Sequence, residues 1–427
     1  MSIIDKFGAL IEHTCNSHPA AARKMLKAGW QAQNFKFKNF PDKRLSKSGA
    51  YLSKLLMDAM IAPLKEPSNT SIVSVFTPCE LLHAYGLKPF NAEGFSCYIA
   101  ASHAEDSFLK VSEEYGIPET FCSYHKIFLG AAYKELMPSP KCIISTNLAC
   151  DANQITFREL SKYYNIPHFT IDVPININES SVKYVASQLK ELDLFLSMLT
   201  GKSQDSAFLK SILRRSKRTV NYYNDYMLAR ADKCLLQDLV TPLYEFVAMN
   251  ILLGTDPAEK YALMALNDAK NAEKAEGIRL FWIHTVPYLQ SDIKKILNFT
   301  KDAQIVGIDM AVSSILDFDP EKPYEAMARR MVYNSFNGTA SHRIDSALAW
   351  AKRVKADGAI WFCHCGCKNT LGASSLAKHV FEEKDMPLLI LNGDGCSRSA
   401  GNEGQNATRI EAFLEMLKAS KEAANEK

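Results

Sequence analysis

The chain has 427 residues, 47% apolar and 23% charged, the balance of an ordinary folded protein of two or three domains. Fifty basic against 47 acidic side chains leave a net charge of +3; this excludes a general field for nucleic acid, and no basic stripe stands out. No apolar run reaches the roughly 18 residues of a membrane span, and Met1-Ser2-Ile3-Ile4-Asp5-Lys6 lacks the basic-then-apolar pattern of a secretory signal, so a cytoplasmic enzyme is expected.

Residues 1–68 are polar and helical in period, and carry no chemistry. The span 69–178 alternates short β-rich runs with helices: strands at Ser71–Phe76, Lys141–Thr146 and His168–Val173, and helices at Glu80–Tyr85 and, after Cys150-Asp151-Ala152-Asn153, through Tyr164. Residues 179–275 read as a helical bridge, with Leu192, Phe195, Leu196 and Leu199 on one stripe and a break at Gly254-Thr255-Asp256-Pro257. In 276–427 the alternation returns, with strands at Arg279–Thr285, Gln304–Met310, Gly358–Phe362 and Pro387–Leu391 and a last amphipathic helix at Thr408–Leu417. The fold class is therefore α/β: two Rossmann-like parallel-sheet domains joined by helices, with a ligand expected in the cleft between them.

Eleven cysteines in a chain without a secretory signal point to metal or redox chemistry rather than disulfides. Cys79, Cys150, Cys367 and Cys396 each follow a predicted strand, where α/β sheets bind ligands. The pair Cys122 and Cys150 and the pair Cys367 and Cys396 are each one βα unit apart, a weak internal repeat. Thiolates at that spacing suit an iron–sulfur cluster better than a zinc knuckle, although Cys363-His364-Cys365-Gly366-Cys367 leaves zinc open. Gly366 and Gly395, beside cysteines, would let backbone approach a bulky cluster. Cys15, Cys142 and Cys234 read as inert, with Cys234 on a helix.

Four segments carry a resemblance: Pro78 to Gly86, Cys122-Ser-Tyr-His-Lys, Cys150-Asp-Ala-Asn, and Gln405-x-x-Thr408-Arg409-x-Glu411-Ala412-Phe413-x-Glu415. Together they resemble the 2-hydroxyacyl-CoA dehydratase and benzoyl-CoA reductase superfamily. Cys-Ser-Tyr-His-Lys, Gly366-Cys367-Lys368 and Gly393-Asp394-Gly395-Cys396 look most like its double-cubane cluster branch. The resemblance implies an oxygen-sensitive [8Fe-9S] double-cubane cluster held by six cysteines, and a separate ATP-hydrolysing iron–sulfur activator that injects low-potential electrons. The expected ligands are Cys79, Cys97, Cys122, Cys150, Cys367 and Cys396, with Cys365 the rival to Cys97 for the sixth place. His125 and His364 are candidate proton donors to a small-molecule substrate, and Lys126 and Lys368 could offset the cluster's charge.

The leading expectation is thus an ATP-dependent reductase component. The alternatives are a 2-hydroxyacyl-CoA dehydratase subunit with one [4Fe-4S] cluster and three thiolates, and a non-catalytic electron carrier. Gly201-Lys202-Ser203 lacks the glycine that a phosphate loop needs at position 196, so ATP is left to the partner. A two-fold activator would dock best on a homodimer.

Overall fold

The computed structural model describes residues 2–399 and 403–425. Three helices open it: Ile3–Ser17, closed by a reciprocal cap between Ser2 and Asp5; Pro19–Asn39, begun by its own proline; and Lys47–Lys65, capped by Ser46.

Two parallel sheets of four strands follow. In the first, β1 (Thr70–Val73), β2 (Lys88–Asn91), β3 (Cys142–Thr146) and β4 (His168–Ile171) lie in the order β2-β1-β3-β4. In the second, β5 (Ile278–Ile283), β6 (Ala303–Ile308), β7 (Gly358–His364) and β8 (Leu388–Gly393) lie in the order β6-β5-β7-β8. Every neighbouring pair is parallel. Ile143-Ile144, Leu280 to Ile283 and Ala359 to Phe362 are buried without alternation, as in strands covered by helices on both faces. The two sheets therefore share one winding, which reverses between the first and third strand of each and opens a crevice at their carboxyl ends.

Two expected strands stop early for a common reason. Phe76 (φ 62) and His284 (φ 78) adopt left-handed backbone, which cannot continue a strand, so neither strand reaches its expected end; β1 ends at Val73 and β5 at Ile283. Strand β2 escapes the periodicity because it is a short edge strand containing Pro89, a residue tolerated only where a ladder bond can be spared. The last helix is longer than its apolar pattern, running Glu403–Asn425.

Between the sheets lie the helices Glu179–Thr200, Ser206–Ala229, Thr241–Asn250 and Asp256–Asn271. Gly201 ends the first in left-handed backbone, and Thr255 caps the last with Pro257 in its first turn. The Glu245 carboxylate is buried among them and satisfied by the hydroxyls of Tyr223, Tyr226 and Tyr261 at 2.8–3.1 Å. Cys234 lies in an irregular segment rather than on a helix, because the chain leaves the helical path after Arg230–Asp232; its sulfur receives Gln304 Nε2 at 3.1 Å. Among the described residues no helix is long and apolar enough to cross a membrane.

Candidate metal centre

The carboxyl ends of β1, β3, β5 and β7 share a backbone feature. Each is followed within three residues by a left-handed residue: Phe76, Ala149 (φ 68), His284 and Gly366 (φ 83). Such backbone costs an L-residue roughly 1–2 kcal/mol and gathers at functional sites. All four residues line one cavity of about 400 Å³ between the sheets.

Cys97, Cys122, Cys150 and Cys367 stand on the wall of this cavity. Cys396 is buried behind it, its thiol against that of Cys97. Three of these residues sit at helix starts: Cys122 is the N-cap of Ser123–Tyr133, Cys150 of Asp151–Tyr164 and Cys367 of Lys368–Glu383. Three positive helix ends therefore converge on one void, an arrangement that favours anionic sulfur. Burial acts the other way. It pushes the Cys122 thiol well up, with Cys150 and Cys367 adding to the rise. It also raises Cys150, next to the Glu93 charge and against the first-turn N–H groups of Asn153 and Ala152, and it raises Cys396 beside Cys97. Thiols held protonated this way ionise when a cation is seated among them.

The two halves are pinned together at the cavity. Ser123 Oγ donates to Asp394 Oδ1 at 2.7 Å, Tyr124 Oη meets Thr285 Oγ1 at 2.5 Å, and Tyr288 Oη donates to the Cys97 carbonyl at 2.8 Å. The glycines beside the cysteines serve this closure. A Cβ on Gly366 would stand 2.8 Å from the Cys122 nitrogen, and one on Gly395 2.6 Å from Tyr124 Oη. They let protein backbone approach protein.

Both histidines singled out in the sequence line the cavity, and each meets a sulfur. His364 Nε2 lies 3.3 Å from Cys122 Sγ, and His125 Nε2 lies 3.5 Å from Cys150 Sγ. Burial lowers both, His125 to about 3, so their rings are neutral.

Cys79 stands apart. It is fully buried, does not line the cavity, and donates from Sγ to the Thr77 carbonyl at 3.3 Å, because the turn after β1 folds it back under the five-residue helix Glu80–Ala84. Cys365 is exposed and off the wall, whereas Cys97 is on it. Cys363 faces the Thr370 carbonyl, Cys142 donates to Ser71 Oγ and Cys15 to the Lys134 carbonyl. Lys126 is spent on Glu113 and the Glu119 carbonyl, so it does not face the cavity; Lys368 does.

The sequence reading missed two polar groups on the wall. Glu93 Oε1 has no hydrogen-bond partner and lies 3.7 Å from His125 Nε2; burial raises this carboxyl to about 7. His284 Nδ1 is likewise unpartnered, while its backbone N–H is fixed by Asp309, itself paired with Arg343. Extending the strand-end argument from cysteine to histidine would have found His284. Glu93 was hidden with β2, whose end positions it.

Among the described residues, no three histidine, cysteine, aspartate or glutamate side chains could hold a single metal ion. A polynuclear cluster asks for the opposite: thiols spread around a void, helix ends aimed at it, and buried polar atoms left without protein partners. The cavity fits such a group, with five cysteines at hand rather than six.

The family model for the 2-hydroxyglutaryl-CoA dehydratase D-component matches residues 74–417, from just past β1 into the last helix. The chain belongs to that D-component family. Within the family it is 22% identical to the (R)-phenyllactyl-CoA dehydratase alpha subunit of Clostridium sporogenes, over 81% of this chain and 89% of the relative. It is 23% identical to the (R)-2-hydroxyisocaproyl-CoA dehydratase alpha subunit of Clostridioides difficile, over 82% and 90%. It is 21% identical to the lactoyl-CoA dehydratase subunit alpha of Anaerotignum propionicum, over 81% and 90%. The superfamily read from the cysteine motifs is thus the right one, and the three N-terminal helices precede the part of the D-component chain that is matched.

Proposed function

We propose that this chain is the iron–sulfur component of a two-component reductase, holding an [8Fe-9S] double-cubane cluster between its sheets and served by an ATP-hydrolysing activator. The observation that supports it is the sharing of one cavity by both sheets: Cys97, Cys122 and Cys150 come from the first, Cys367 from the second, with Cys396 behind. A single [4Fe-4S] cluster on three thiolates would leave the cysteines of the second sheet idle.

When bound, such a cluster supplies low-potential electrons to a small substrate. The chain's own residues do the rest. The five thiolates would hold the group, and Cys79 or Cys365 would have to move to supply a sixth. Phe76, Phe246 and Phe336 keep the cavity dry. Glu93, protonated up to about pH 7 and unpartnered at Oε1, is the proton donor to substrate; His125 and His364 are occupied by sulfur. Lys202 bonds the Tyr85 carbonyl at a helix end and takes no part in ATP binding, so ATP hydrolysis falls to the partner. A homodimer in the cytoplasm completes the proposal.

The names of the relatives favour a second reading, a 2-hydroxyacyl-CoA dehydratase subunit, for which the family resemblance implies one [4Fe-4S] cluster. Iron and sulfide counted per chain after anaerobic purification separate the two: about eight irons for the first, about four for the second. Turnover of a small reducible substrate should appear only with the activator and MgATP; turnover without either would overturn the two-component reading.

A further inference from the structure

We infer that His364 is a positioning residue that donates an Nε2–H hydrogen bond to the Cys122 sulfur and thereby raises the reduction potential of the bound cluster. The inference rests on the cluster reading above.

His364 ends β7 and is buried. Its Nδ1 accepts the Gly395 backbone N–H at 3.1 Å. A ring nitrogen that accepts a hydrogen bond carries no proton, so the neutral ring bears its proton on Nε2. That atom lies 3.3 Å from Cys122 Sγ, which is left only the acceptor's part. The partners are fixed in turn. Asp394 Oδ1 accepts the N–H groups of Cys396 and Ser397, each at 2.7 Å, and so shapes the turn that presents Gly395. The same Oδ1 accepts Ser123 Oγ, and Ser123 follows Cys122 in the chain. A closed ring thus runs Cys122, Ser123, Asp394, Gly395, His364 and back to Cys122, crossing between the sheets twice.

His125 lacks this arrangement. Its Nε2 is 3.5 Å from Cys150 Sγ, but its Nδ1 has no partner to fix the tautomer. A hydrogen bond to a ligating sulfur draws electron density from it and favours the reduced, more negative cluster. Of the two histidines, His364 is the one built as an obligate donor.

The test is a reductive titration of the iron-loaded protein, followed spectroscopically, for wild type, His364→Leu and His364→Gln, with iron counted in each. Leucine removes the donor, and the potential should move to a more negative value at unchanged iron. Glutamine places an N–H near the Nε2 position and should return the potential towards wild type. An unmoved potential in His364→Leu, or equal displacement in both variants, overturns the inference. Should His364→Leu lose iron, the glutamine variant decides alone: a wild-type potential supports the donor role and a more negative one refutes it. Wild-type protein that binds no iron would instead refute the cluster reading.

Discussion

The two sheets have the same strand order but carry different chemistry on it. At the end of the third strand they agree closely: Ala149 and Cys150 after β3 match Gly366 and Cys367 after β7, each a left-handed residue followed by a cysteine at a helix start. The repeat therefore aligns Cys150 with Cys367, not Cys122 with Cys367 as the spacing of pairs suggested. At the end of the first strand they part, with Cys79 folded into the core on one side and His284 facing the cavity on the other. After the edge strand, β2 leads to Glu93, whose Oε1 has no hydrogen bond, while β6 leads to Asp309, which is tied to Arg343. The scaffold repeats because backbone geometry alone builds the crevice. The side chains diverge because both halves face one cavity, and each supplies different groups to it.

The largest test of this division replaces the matched cysteines. Cys150→Ser and Cys367→Ser should each lose most of the bound iron, since a hydroxyl is a poor substitute for thiolate on iron, and Cys142→Ser, off the cavity and bonded to Ser71, should keep it. Iron and sulfide assays check this; full iron in Cys367→Ser would confine the cluster to the first sheet. Next comes the Asp309–Arg343 pair, buried at 2.8 Å. Arg343→Met strands a carboxylate in the interior and should cost about 3–5 kcal/mol in urea unfolding.

How much of this was open to a reader of the sequence follows from the same contrast. The βα alternation exposed seven of the eight strands, because buried parallel strands are continuous apolar runs such as Cys142-Ile-Ile-Ser and Leu280-Phe-Trp-Ile. The edge strand β2 has no such run. Cysteines were visible by type, yet residue type does not say which way a turn points a side chain. Cys79 and Cys97 show this: one follows a strand and faces inward, the other lies mid-helix and reaches the wall. The histidine–sulfur pairs join residues far apart in the chain, so no local pattern could show them.

Glu93 makes the comparison testable by pH. With its carboxyl raised to about 7, Glu93 keeps its proton in the folded chain while the unfolded chain releases it near the ordinary value of 4.5. The unfolded state then binds fewer protons, so stability should fall as pH rises from about 4.5 to 7 and level off above. Glu93→Gln, measured by thermal unfolding of the iron-free chain, should match wild type near pH 4 and exceed it at pH 8 by at most about 3 kcal/mol. An identical pH profile in the two proteins would mean that the carboxyl is not held in its neutral form.

The smallest effect bears most directly on the matched position. Gly366 and Ala149 have nearly the same backbone, φ 83 and 68, but different surroundings. A methyl on Gly366 would meet the Cys122 backbone at 2.8 Å, so Gly366→Ala suffers both the left-handed backbone and a contact that cannot yield, and should cost about 2 kcal/mol. Ala149 already carries its methyl. Ala149→Gly relieves roughly 1 kcal/mol of backbone strain and loses a similar amount to the greater freedom of glycine when unfolded, so its net change should lie within about 0.5 kcal/mol of zero. Urea unfolding of the two variants side by side gives the difference. Equal effects would mean that the close approach of the second sheet to Cys122 is slack. A gap of the expected size would mean that Gly366, unlike its counterpart, is needed to seat one half of the site against the other.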